Sequence, residues 1–252
     1  MAARDEIVAH LDELLDSAAF DDYGPNGLQV PGASEVKLVV TGVSAHRELF
    51  ERAREAGAQM VLCHHGMFWN AQPRHVTAQV KERLVALFDG AMSLAAYHLP
   101  LDAHPEVGNN ALICRALGLQ RAEPFASHRG RAIGFVGRSA EGVPAAELFD
   151  RCGDAFGREP LVFDSGPELV RSVGIVSGGG SSRVAEAAAL GLDAFLTGEP
   201  SEFVMADARE AGIHFIAGGH YATETFGVRR LGELLEQRFG VEHRFIEVPN
   251  PI

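Results

Sequence analysis

The pentapeptide AREAG occurs twice in this chain, at 53–57 and at 208–212, and a histidine follows eight positions after each glycine: His65 after Gly57, His220 after Gly212. A glycine just past a helix end takes left-handed backbone at little cost. A buried strand of four or five residues then fits, and the plus-eight residue falls just beyond its carboxyl end. Two further segments keep the spacing: Gly90 leads to His98 through AMSLAAY, and Gly191 leads to Glu199 through LDAFLTG. Ligands of open parallel sheets bind outside the carboxyl ends of the strands. The register therefore predicts four strand ends, each offering a metal-ligating or acid–base residue. Polar residues follow most strands, so the spacing alone assigns no chemistry. The shared pentapeptide points to internal duplication.

Periodicity extends this frame along the chain. Spacing of apolar residues predicts helices over 4–17, 46–56, 75–89, 105–117, 143–155, 181–190, 200–211 and 222–238. In the first, Ile7, Val8, Leu11, Leu14 and Leu15 share one stripe. Short apolar runs predict strands over 36–43, 59–63, 91–97, 131–137, 171–177, 193–196, 213–217 and 243–248, and 24–27 reads as a turn. Strands alternating with helices specify an α/β fold with much parallel pairing. The stretch 120–131 is polar and aperiodic, which predicts a boundary between two α/β domains, 1–126 and 127–252.

Composition narrows the function classes. Of 252 residues, 46% are hydrophobic and 22% charged, which fits a folded globular chain. No apolar run approaches the roughly 18 residues of a membrane span. The opening segment MAARDE carries charge at Arg4, Asp5 and Glu6 and lacks a signal peptide's apolar stretch. Cys63, Cys114 and Cys152 are far apart and without CxxC spacing, so neither a disulfide framework nor a thiolate zinc knuckle is expected. A cytoplasmic location is predicted, and Cys63 reads as a buried apolar residue. Lys+Arg 22 against Asp+Glu 34 gives 22 − 34 = −12, which opposes phosphate contact and disfavours tight nucleic-acid binding.

Three clusters carry chemistry. His64 and His65 follow a buried strand; adjacent residues in extended chain point apart, so each can serve a different metal, although a lone pair is more commonly a surface feature. His98-Leu99-Pro100-Leu101-Asp102 follows the next strand; Pro100 predicts extended backbone at Leu99 and a stiff loop presenting Asp102, a residue type that also forms turns and caps. His220 and Glu224 fall one turn apart if a helix begins near Tyr221, a spacing that is common by chance.

Together these residues form a mixed nitrogen and oxygen set. It suits Zn, Mn, Fe, Co or Ni better than Ca or Mg. Five ligands exceed one tetrahedral ion with an open position and suit two ions sharing a carboxylate and a water. SGGGSS at 177–182 joins a strand to a helix but lacks the Walker lysine and the GxGxxG spacing. It reads either as an anion cradle or as a tight turn, with Ser181 and Ser182 as helix caps. No serine stands in a GxSxG elbow.

NGLQV at 26–30, HHGMFW at 64–69, HLPLDAHPEVGNNA at 98–111, SGGGSS at 177–182, LTGE at 196–199 and GGHYATE at 218–224 occur in this order. The set resembles the GTP cyclohydrolase I type 2 family, also called the Ngg-interacting-factor-three-like family, in its short bacterial form and over nearly the whole chain. The resemblance implies two similar α/β domains with a dinuclear metal site in the cleft between them, and a ring-shaped homohexamer. It implies two divalent transition-metal ions per subunit, held by His64, His65, Asp102, His220 and Glu224, with Glu224 bridging. His98 and Glu199 stay outside that ligand set and are the candidate catalytic residues, moving a proton or orienting a ligand. His104, Asn109 and Asn110 are expected to shape the loop after Asp102, and Trp69 and Tyr221 to line the cleft. The expected function is a hydrolase using metal-bound hydroxide, with a purine nucleotide as the candidate small-molecule substrate. The other reading is a non-enzymatic metal-binding ring: a scaffold, metal chaperone or interaction partner.

Overall fold

The computed structural model describes residues 1–73 and 75–252. The chain forms two compact units, Met1–Leu101 with Gly227–Pro249, and Asp102–Phe226 with Asn250–Ile252. The first unit begins with β1 (Ala2–Ala3), α1 (Arg4–Leu15), β2 (Gly27–Val30), β3 (Glu35–Val36), β4 (Leu38–Ser44), α2 (Arg47–Glu55), β5 (Met60–His65), α3 (Ala78–Asp89) and β6 (Ser93–Ala96). The short α4 (Leu99–Ala103) carries the chain onward. Then come α5 (Asn109–Ala116), β7 (Gln120–His128), β8 (Arg131–Pro144), α6 (Ala145–Phe156), β9 (Leu161–Phe163) and β10 (Leu169–Val176). They are followed by α7 (Val184–Ala189), β11 (Ala194–Thr197), α8 (Val204–Ala211), β12 (His214–Ala217) and α9 (His220–Thr223). Helix α10 (Thr225–Phe239) leads to β13 (Glu242–Phe245), which joins the first unit's sheet.

That sheet runs β13-β4-β5-β6-β2. Its first four strands are parallel, and β2 closes the edge antiparallel to β6. The second unit's sheet runs β7-β8-β10-β11-β12-β9. Here β10, β11 and β12 are parallel, and β9 closes the edge antiparallel to β12. One connectivity thus occurs in both sheets: β4-α2-β5-α3-β6 and β10-α7-β11-α8-β12, each flanked by an antiparallel edge strand from earlier in the chain.

Local sequence explains the elements. Helix α1 buries Ile7, Leu11 and Leu15, four residues apart on one face. Helix α2 starts where the His46 side chain accepts from Leu49 N, and α3 where Thr77 accepts from Val80 N. The central strands are apolar on both faces, as parallel strands covered by helices must be. In the first unit Leu49, Phe50, Val61, Met67 and Leu87 form the core. In the second, Leu148, Cys152, Ile175 and Leu196 pack in one cluster, while Val184, Phe195, Val204 and Phe215 pack in another.

Several expectations are corrected. The aperiodic stretch 120–131, expected to hold the domain boundary, is mostly β7 and the turn into β8. Residues 102–126, placed with the first domain by a single cut, belong to the second unit, and the chain returns to the first at Gly227. The helix expected over 105–117 starts at Asn109, and Leu99, expected extended, opens α4 with Pro100 in its first turn, where a missing N–H costs nothing. Gly57, Gly191 and Gly212 are left-handed, with φ of 77°, 66° and 67°. At Gly90 the left-handed residue is instead Ala91, with φ of 48°. Among the described residues no helix is long and apolar enough to cross a membrane.

Candidate metal centre

In the first unit, β5 ends in His64 and His65, and β6 is followed by His98. Because β5 and β6 are parallel neighbours in register, their carboxyl ends bring these three imidazoles together. Ring centroids lie 4.8 Å apart for His64–His65, 5.1 Å for His64–His98 and 5.5 Å for His65–His98. One ligand nitrogen from each lies within 4.8 Å of the others. Each ring is anchored through Nδ1. His64 Nδ1 meets the Tyr97 carbonyl at 3.0 Å, His65 Nδ1 the Ser44 hydroxyl at 3.1 Å, and His98 Nδ1 Asp22 Oδ1 at 2.7 Å. The Tyr97 carbonyl can only accept, so it places the His64 hydrogen on Nδ1 and leaves Nε2 free to ligate, whereas the Ser44 hydroxyl can donate or accept and fixes only the orientation of the His65 ring. Trp69 packs beside His65 and His98 at centroid distances of 5.9 and 5.1 Å. Burial raises the Asp22 carboxyl, but hydrogen bonding and charge from His98, with Asn26 and the Tyr23 amide, outweigh it and hold Asp22 below the usual range.

In the second unit, His220 opens α9 and Glu224 caps its end. His220 Nε2 lies 3.2 Å from Glu224 Oε1, and Nδ1 lies 3.2 Å from Glu199 Oε1. Burial lowers the His220 pKa, yet the two carboxylates outweigh it and raise it to about 9. Asp102 is buried, and its Oδ1 accepts from Asn109 Nδ2 at 2.8 Å and Ser177 Oγ at 3.0 Å. Asn110 donates to the Asp102 carbonyl and receives Ser177 N at 2.7 Å. Gly178 has φ of 63°, and an added Cβ there would overlap Glu224 Oε1 and approach His220 Nε2 to 3.0 Å. The backbone therefore makes room for this pair. His and Glu side chains are imidazole and carboxylate donors, and those gathered here, buried or half-buried, could hold a metal ion.

Three amides of the glycine loop are engaged within the protein. Ser177 N donates to Asn110, Gly178 N to Thr223 Oγ1 at 3.1 Å and Gly180 N to Thr197 Oγ1 at 2.9 Å. Ser181 caps no helix; its hydroxyl donates to the Glu199 carbonyl. His104 shapes its loop, with Nδ1 accepting from the Glu106 and Val107 amides. All three cysteines are buried, and burial pushes the thiols of Cys114 and Cys152 up to about 12. Sequence reasoning missed Asp22, Ser44 and Thr223. Only Asp22 had a nearby signal, the turn and NGLQV segment that follow it.

The Duf34/NIF3 (NGG1p interacting factor 3) family profile matches residues 2–251. A Pseudomonas aeruginosa protein named GTP cyclohydrolase 1 type 2 homolog is 45% identical over 245 residues, covering 97% of each chain. An Escherichia coli K12 protein of the same name is 42% identical over 250 residues, covering 98% of each. A solved structure described as protein ybgI, unknown function, superposes with a TM-score of 0.94 at 40% identity and 100% coverage of both chains.

Proposed function

The chain belongs to the Duf34/NIF3 family, and from that premise we propose that it is a hydrolase dependent on two divalent transition-metal ions and acting on a purine nucleotide. The observation that carries this reading is the convergence of the His64 and His65 imidazoles beside the His98 ring, with every Nδ1 anchored. We assign His64, His65, Asp102, His220 and Glu224 as ligands, with Glu224 shared. When bound, such ions supply an acidified water and a clamp for phosphate charge.

The chain's own residues orient and move protons. Glu199 holds His220 through Nδ1 and so turns Nε2 towards Glu224. Asn109 and Ser177 hold the Asp102 carboxylate in one orientation. His98 is the proposed proton carrier. Burial raises the thiols of Cys114 and Cys152 and disfavours them as attacking groups, and the proposed nucleophile is water. The connectivity common to both sheets supports internal duplication, and we propose a homohexameric ring as the assembly.

The test is turnover of a nucleotide panel, GTP included, with and without metal. The reading predicts turnover that chelation abolishes. His98→Ala should retain metal and lower kcat by roughly 10²–10⁴-fold, the usual loss for a general acid–base group. Metal binding without turnover of any nucleotide would favour the scaffold or chaperone role.

A further inference from the structure

Asp22 lies outside the ligand set, yet its side chain is only 1% exposed. Its oxygens are surrounded by donors: Tyr23 N at 2.6 Å, Leu99 N at 2.9 Å and Asn26 Nδ2 at 3.0 Å. A carboxylate so surrounded acts only as an acceptor. The His98 Nδ1 at 2.7 Å must therefore carry the hydrogen, which leaves the lone pair on Nε2. Asn26, first residue of NGLQV, completes the clamp: its Oδ1 accepts from His98 N at 2.8 Å. The same motif braces the other histidine loop, since Gln29 Oε1 accepts from Met67 N at 2.7 Å. Trp69 and Tyr23 meet the His98 ring edge-to-face at 5.1 and 6.0 Å and limit its rotation.

We propose that Asp22 is a positioning residue that fixes His98 as the Nδ1–H tautomer, with Nε2 turned to the His64–His65 pair, while Asn26 holds the His98 backbone. Only the purpose of that orientation rests on the proposed function. Distance in sequence hides the contact, because Asp22 and His98 are 76 residues apart.

The experiment is long-range 1H–15N spectroscopy of the full chain with 15N-labelled histidine, stripped of metal, with His98 assigned through His98→Gln. The wild type should show His98 as a single Nδ1–H tautomer. Asp22→Asn, which keeps the shape but puts an amide in place of the acceptor-only group, should lose that single state. A wild-type His98 protonated on Nε2 would overturn the proposal, even if the variant fails to fold. An unchanged tautomer in a folded Asp22→Asn protein would overturn it too. Because no metal or substrate is present, a failed hydrolase reading would leave this measurement intact.

Discussion

At the scale of single residues, Gly178 and Gly191 separate backbone strain from site geometry. Both are left-handed, with φ of 63° and 66°. No atom of the described residues lies within 4 Å of a Cβ at Gly191, whereas one at Gly178 meets Glu224 and His220. Gly191→Ala should cost about 1–2 kcal/mol, the penalty of left-handed backbone alone. Gly178→Ala should cost more and weaken Co2+ binding, because the loop or Glu224 must move. Urea unfolding and Co2+ titration of both variants check this; equal costs with unchanged Co2+ binding would contradict it.

At the scale of elements, β13 docks on β4 through His243, whose Nε2 lies 2.8 Å from Thr41 Oγ1. Burial lowers the His243 pKa and Arg229 adds to this, while Glu236 and Glu233 oppose it. A folded-state pKa below the unfolded value of about 6.5 means that the unfolded chain binds more protons. This contribution is whole above about pH 6.5 and lost as pH falls through the folded value. Because the raised His220 works in the opposite direction, the test is differential: between pH 8 and 5.5 the urea midpoint of the wild type should fall relative to that of His243→Gln, and an identical pH profile in the two would refute the assignment. His46, also lowered by burial, adds a residual slope. The doubly covered strands β4, β5, β10, β11 and β12 were legible as apolar runs. Strand β7 was not, because only Phe125 and Ala126 in it are buried and its pairing with β8 is a tertiary property. The strand-end positions of His65, His98, Glu199 and His220 were legible from one register, since a glycine, a strand and a strand end are local. The anchors of His64, His65 and His98 were not: Asp22, Ser44 and the Tyr97 carbonyl reach them across the fold.

At the scale of the whole molecule, the proposed ring predicts a particle of six chain masses by light scattering; a monomer would remove that assembly. The net charge of −12 predicts no tight duplex binding at about 150 mM salt. The central claim is a pair of metal ions, and metal content by mass spectrometry of protein purified without chelator tests it most directly. The prediction is two divalent transition-metal ions per chain, with both weakened in Glu224→Ala and mainly one in His65→Ala. One ion per chain at saturation, or none, would contradict it.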